Sequence, residues 1–231
     1  MAKPQSRIGT ERESSLHRTL KFQYAGTTAR TEASLGGYVC DGISESGEIF
    51  EIQTGSFGPL KQKVRELSAL GMVRIVHPII VTNQIELYNG DGALLSRRKS
   101  PRKGTIWDLF KALLYAPELP LNPNIRIELV LVDVRERRIR DGRGSWRRRG
   151  ISIVDRELTA CRGSVPLYSI QDYGCFIPFS KHEEFTVKLL GDRARISPAI
   201  ARKALYVLTK LGVTERIGKE GNAFRYIKKI T

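Results

Sequence analysis

Apolar residues recur every fourth position at Leu16, Leu20 and Tyr24, the stripe of a helix over residues 11–24. Thr10, with Glu13 three residues on, makes a capping-box signature at its start. Residues 28–35, 37–43 and 48–54 then read as strands. Pro59 opens a second helix to about residue 70, with Leu60, Val64, Leu67 and Leu70 on one face and Gly71 just past its end. The apolar run over 73–81 predicts a strand buried on both faces. Residues 85–88 predict another, closed by the turn Asn89-Gly90-Asp91-Gly92. A helix set between strands in this way implies a crossover and a mixed sheet.

The middle of the chain is less regular. Arg97, Arg98, Lys99, Arg102 and Lys103 read as a loop around Pro101. A helix over 106–115, a proline-containing loop and a long strand over 125–139 follow. Residues 141–150 form a Gly/Arg loop, and 151–179 predict short strands. Near the end, 182–190 reads as a short helix. Ser197 and Pro198 are an N-cap and a first helical residue. Ile200, Ala204, Leu208 and Leu211 line the apolar face of the helix they start, which ends at Gly212. Residues 213–217 and 224–230, joined by a turn at 218–221, predict a hairpin. The tail thus looks like a winged helix, a fold that also serves as a dimer interface.

Charge gives this layout a direction. The 231-residue chain carries +15. Residues 1–96 are neutral, with ten basic and ten acidic side chains, whereas 97–149 carry fifteen basic against six acidic and 180–231 twelve against five. Two basic blocks behind a neutral portion point to a polyanionic partner, held by counterion release from phosphates. No apolar run is long enough to span a bilayer, and no basic helix has the broad apolar face that membrane binding needs. Residues 1–11 lack the apolar stretch of a secretory signal. Cys40, Cys161 and Cys175 have no metal-ligand spacing and fit idle thiols in a reducing cytoplasm. No P-loop is present, so no nucleotide triphosphate is expected.

The hairpin over 38–54 carries the sharpest chemistry. Its turn, Glu45-Ser46-Gly47, is a three-residue loop with glycine last, where a left-handed residue is required. That loop pairs Ser44 with Glu48 and brings Asp41 opposite Glu51. Cys40, Gly42, Phe50 and Ile52 take the other face. Two carboxylates facing each other across strands, with Cβ atoms about 5 Å apart, repel. A divalent cation removes that cost, since Mg²⁺ accepts one or two carboxylates plus water and phosphate oxygens. An exposed pair with a neighbouring Arg or Lys is the competing account.

Asp41 followed by Glu51-Ile52-Gln53 after a turn, then a helix and an apolar strand, resembles the PD-(D/E)XK nuclease superfamily of restriction endonucleases and Holliday-junction resolvases. The resemblance covers residues 10 to about 90. It implies an αβββαβ restriction-endonuclease-like core with a mixed sheet, and so an α/β domain over 1–179 with a basic insertion (97–149). A winged-helix-like domain over 180–231 follows. It also implies hydrolysis of DNA phosphodiesters with Mg²⁺ or Mn²⁺. Asp41, Glu51 and the Ile52 carbonyl would be ligands. Glu13 matches a further acidic residue of many members, or else is only the capping-box partner of Thr10. Gln53 departs from the pattern, which has Lys there to activate water; Lys61 or Lys63 on the next helix would supply the cation. Many members cut as dimers, so a homodimer is a possible assembly.

Nucleic-acid contacts are expected from Arg143, Trp146, Arg147, Arg148 and Arg149 in the arginine loop. Others are expected from Arg202, Lys203, Tyr206 and Lys210 on the last helix and from Lys219 and Arg225 near the wing. His17, one turn past Glu13, reads as a surface histidine. A DNA-binding protein on a catalytically inactive nuclease scaffold is the alternative that Gln53 leaves open.

Overall fold

The computed structural model describes residues 13–25 and 30–230. It is a mixed α/β structure built on a seven-stranded sheet. Helix α1 (Ser15–Ala25) leads into strands β1 (Arg30–Leu35), β2 (Tyr38–Ile43) and β3 (Ile49–Ile52), then α2 (Lys61–Ser68) and β4 (Val73–Tyr88). β5 (Leu94–Lys99), α3 (Leu109–Ala112) between two 3₁₀ turns, β6 (Ile125–Arg140) and β7 (Ile151–Leu167) complete the body. The strand order is β1-β2-β3-β4-β6-β7, with β5 beside β4. β2 is antiparallel to both β1 and β3, β3 and β6 run parallel to β4, and β7 is antiparallel to β6.

Several expectations are corrected. The strands at 73–81 and 85–88 are one sixteen-residue strand, bulged between Ile80 and Thr82 against β6. Polar Thr82, Asn83 and Gln84 interrupt the apolar run but not the backbone pairing, because their side chains are only half-buried. Arg97, Arg98 and Lys99 are on β5, not in a loop: the turn at Asn89–Gly92 folds them back onto β4, where Arg97 pairs with Glu86. The short strands expected over 151–179 are a single long β7 followed by a 3₁₀ segment, Gln171–Phe176. Helix α1 begins at Ser15. Asp155 of β7 takes the Ser15 amide and hydroxyl (2.8 and 2.5 Å), so a distant carboxylate caps the helix and Glu13 precedes it. Thr10 lies outside the described residues.

Two apolar clusters cover the two faces of the sheet. On one, Leu16 and Leu20 of α1 meet Phe50, Ile52, Val76, Val130 and Val132. On the other, Val64 and Leu67 of α2 and Phe110 and Leu113 around α3 cover Ile49, Val73, Ile75, Ile127 and Leu129. The second cluster continues without a break into the tail, through Leu205 and Leu208. There α4 (Val187–Ala194) and α5 (Pro198–Lys210) precede a hairpin of β8 (Thr214–Glu220) and β9 (Ala223–Lys228). The helix expected over 182–190 starts five residues later, where the Thr186 hydroxyl accepts the Leu189 amide. The Ser197 cap is as expected, its hydroxyl accepting the Ile200 amide. The hairpin turn is tighter than expected, because β8 runs on to Glu220 and Gly221 (φ 57°) makes the turn.

A gap along one edge of β4 shapes the sheet next to β3. β3 covers β4 only at residues 73–76, and β5 covers the same strand only from Gln84 onward. Between them that edge of β4 has no partner strand. The chain leaving β3 and the chain leaving β5 both turn into this gap. Gly104 donates to the Ile80 carbonyl and Ser100 to the Asn83 carbonyl, each at 2.8 Å. A Cβ on Gly104 would stand 2.3 Å from the Ile80 oxygen, so only glycine permits this approach.

Candidate active site

The hairpin has the expected register. Gly42 pairs with Phe50 and Ile43 with Ile49; Gly47 is left-handed (φ 82°) and closes the loop on the Ser44 carbonyl at 2.9 Å. Continuing that register brings Asp41 opposite Glu51. The regular alternation stops there, however. The β1–β2 ladder skips Glu32, which has φ 54°, and its neighbour Asp41. Phe50 and Ile52 therefore join the α1 cluster while Cys40 joins the α2 cluster, although simple alternation puts them together. The Asp41 carboxylate takes the Ile52 amide at 2.7 Å, replacing a ladder bond with a side-chain bond.

Glu51 is buried, 4 % exposed. Lys63 of α2 reaches over it, its Nζ 2.6 and 2.7 Å from the two carboxylate oxygens. Only the Oε2 contact has hydrogen-bond geometry, so Oε1 is buried and held by ion pairing with Lys63 alone. Burial pushes the Glu51 carboxyl up to about 7; Asp41 adds to this and Lys63 offsets part of it. Asp41 goes the other way. Burial would raise it, but His17, the Ile52 amide and Lys21 more than compensate and hold it below the usual carboxylate range. The two carboxyls thus differ in protonation because their surroundings differ.

His17 is not a surface histidine. Its Nε2 lies 3.3 Å from Asp41 and its Nδ1 contacts Glu13. Lys21 is buried, with its Nζ 3.1 Å from Glu13, 3.2 Å from Glu32 and 4.0 Å from Asp41. Burial lowers the His17 pKa, but Asp41 and Glu13 more than offset this and raise it. Glu13, His17 and Lys21 are spaced by four, a polar stripe beside the apolar one at 16, 20 and 24. That spacing was the available sign that all three serve one place.

Of the other expected residues, Lys61 points elsewhere and pairs with Glu118. The Gln53 side-chain amide donates to the Ser56 carbonyl, and the main-chain carbonyl of Gln53 contacts His77. Trp146 is 83 % exposed, with Arg147 stacked on it at 5.6 Å; Arg143 and Arg149 are exposed, and Arg148 turns its Nε to the Ile151 carbonyl. On α5, Arg202, Tyr206 and Lys210 are exposed and Lys203 half-buried. Lys219 lies over Phe224, and Arg225 pairs with Glu184. The structure therefore gathers Glu13, Asp41 and the Ile52 amide around His17 and Lys21 of α1, sets Glu51 against Lys63 of α2 with Asp41 near enough to raise its pKa, and keeps the tail residues apart from them. Among the described residues, no three His, Cys, Asp or Glu side chains form a ready metal cluster. None of the described helices is long and apolar enough to cross a membrane.

Residues 14–167 match the family described as "Domain of unknown function (DUF8091)". The chain belongs to this family. The match runs from the residue before α1 to the end of β7, so it contains Asp41, Glu51 and Lys63, begins one residue after Glu13, and stops before the tail helices. A relative in Treponema pallidum (strain Nichols), described as an "Uncharacterized protein", is 30% identical over 157 residues. That is 68% of this chain and 62% of the relative, so the chain spans less than two thirds of the relative's length. No solved structure matches the chain.

Proposed function

We propose that the protein is a Mg²⁺-dependent DNA endonuclease with a restriction-endonuclease-like core. The observation that carries this reading is the buried Glu51, opposite Asp41 and paired with Lys63. The element order α1-β1-β2-β3-α2-β4, with three antiparallel strands followed by parallel β4 and β6, supports it. So does the position: the pair stands where β3 ends at the gap in the sheet, and open α/β sheets take their ligands at strand carboxyl ends.

The donor set suits a hard cation. Asp41, Glu51 with its Oε1 free of any hydrogen bond, and the Ile52 carbonyl would hold it; two carboxylates suffice for Mg²⁺, which keeps water and phosphate oxygens in its remaining positions. When bound, the metal supplies charge neutralisation and an acidified water. The protein's own residues do the rest. Lys63 provides from α2 the cation that Gln53 does not, and orients the attacking water. His17 and Lys21 hold Asp41 ionised and fixed, and Glu13 in turn holds both of them. A winged-helix-like tail, with α5 and the β8–β9 hairpin, holds the phosphates of duplex DNA, and the arginine loop holds those of the strand next to the carboxylate pair.

A second reading, a DNA-binding protein without catalysis, is favoured by the one observation that Gln53 spends its amide on Ser56. Incubation with duplex, single-stranded and branched DNA, with Mg²⁺, Mn²⁺ or EDTA, separates the two. Metal-dependent cutting that Asp41→Ala and Glu51→Ala both abolish, with binding kept, is the expected result. Salt-sensitive binding without cutting of any substrate would establish the second reading.

A further inference from the structure

The gap between β3 and β5 opens into a cleft of about 480 Å³ that begins at Thr54, the residue after Gln53. Five cationic side chains line it: Arg102, Lys111, Arg138, Arg148 and Arg156. They come from the loop after β5, from α3, β6 and β7, and from the arginine loop. Four of the five lie in the basic stretch 97–149. Only two carboxylates, Asp108 and Glu136, stand among them. Glu136 is 2 % exposed and clamped by Arg138 and Arg156 at 2.5 and 2.8 Å, which fixes those guanidinium groups in place.

Both basic loops are fastened to the sheet. The 100–104 segment is held by the Ile80 and Asn83 carbonyls. In the arginine loop, a Cβ on Gly144 would stand 2.0 Å from the Ile151 carbonyl oxygen, so glycine alone allows that loop to lie against the start of β7. A cleft of this size is at the small-ligand end of the roughly 300–1,000 Å³ scale. It has room for a nucleotide unit and excludes a duplex. One polar atom in its wall lacks a partner. The Asn83 amide nitrogen faces the Glu136 carboxylate at 3.4 Å, which fixes the amide orientation because a carboxylate only accepts. Its oxygen is thereby left buried and unsatisfied. A ligand that completes this wall brings anionic oxygens for the arginines and an N–H for Asn83. An unpaired nucleotide has both; in a duplex the Watson–Crick edges are already used.

We infer that the cleft is a single-strand site, holding the phosphates of a displaced or unpaired DNA strand with a base edge on Asn83, next to the carboxylate pair. This names the substrate class for the proposed nuclease, DNA with a single-stranded segment, and it rests on that reading.

The test is fluorescence anisotropy of the full chain in EDTA, where nothing is cut, with a labelled short DNA single strand and the matching duplex. In Arg102→Glu/Arg148→Glu, two changes at exposed loop positions, single-strand affinity is expected to fall at least about tenfold. The slope of log affinity against log salt should fall by roughly 1.4. Duplex affinity, carried by the tail, should change by less than about twofold. Asn83→Leu is expected to weaken single-strand binding without changing the salt slope. Equal loss for duplex and single strand, or no loss for the single strand in either variant, overturns the inference. The nuclease reading fails separately: single-strand binding as described, with no cutting in Mg²⁺ or Mn²⁺, sinks the nuclease and leaves the cleft. Cutting that Asp41→Ala abolishes and the charge reversal leaves intact sinks the cleft and leaves the nuclease.

Discussion

Glu51 holds a proton in the folded chain over a pH range where an ordinary glutamate has lost it, because burial pushes its carboxyl up to about 7. A folded-state pKa above the ordinary 4.5 makes the folded chain bind more protons than the unfolded one between those values. The contribution is full below about pH 4.5 and is lost as pH rises through about 7. In EDTA, urea melts should therefore show stability falling from about pH 5 to pH 8, by at most roughly 3 kcal/mol from this group. Glu51→Gln should remove the slope and be the more stable protein at pH 8. A variant with the wild-type slope would show that Glu51 is ionised throughout. Lys63 and Lys61 give a second contrast, since one stands on Glu51 and the other on Glu118. Lys63→Met should lower cutting by about 10² or more, in the range of general acid–base effects, and Lys61→Met should leave it near wild type. Equal losses would remove Lys63 from the proposed site. The sequence could place Asp41 opposite Glu51 because a three-residue turn fixes register locally. It could not rank Lys61 against Lys63, because that choice depends on where Glu118, more than fifty residues away, comes to lie.

Elements with local signals were legible: the hairpin glycine, the Ser197 cap, the Asn89–Gly92 turn and the apolar stripe of α5. Elements whose partners are distant were not. β4 reads as two strands because its polar middle, Thr82 to Gln84, breaks the apolar pattern, whereas the ladder to β6 continues past a bulge. Arg97, Arg98 and Lys99 look like loop because every side chain of β5 is exposed. The strand exists through backbone pairing with β4, to which hydrophobicity contributes nothing. Capping of α1 by Asp155 is invisible in sequence for the same reason, as 140 residues separate the partners. At this scale Gly104 is decisive. Gly104→Ala forces a methyl group to within 2.3 Å of the Ile80 carbonyl oxygen, so the 100–104 segment must lift off β4. The expected cost is about 1–3 kcal/mol by urea denaturation, as for other overpacked positions, together with weaker single-strand binding. A variant of unchanged stability and affinity would show that the segment does not need this contact.

At the scale of the whole molecule, the basic tail and the sheet share one core, although charge and composition set them apart. Leu205 of α5 is 1 % exposed and lies in the same apolar cluster as Phe110, Leu113 and Phe176. Phe110 and Phe176 meet edge-on at 4.7 Å, and Trp107 packs 5.2 Å from Phe176. A tail bound to the sheet only by a linker would melt alone. A tail whose helix closes the core melts with the rest, because its loss strips cover from the layer around α3. Denaturation followed by far-UV circular dichroism and by Trp107 fluorescence, in a Trp146→Phe background that removes the exposed indole, should give coincident transitions. Leu205→Ala should cost about 2–5 kcal/mol, as a buried leucine truncation does, and should move both curves equally. If dichroism shifts while the Trp107 signal stays, the tail is an independent unit. Coincident curves instead mean that α5 and the hairpin stand at a fixed angle to the cleft. DNA gripped by the tail then reaches the carboxylate pair along one path, and the single strand it presents is selected by geometry as well as by charge.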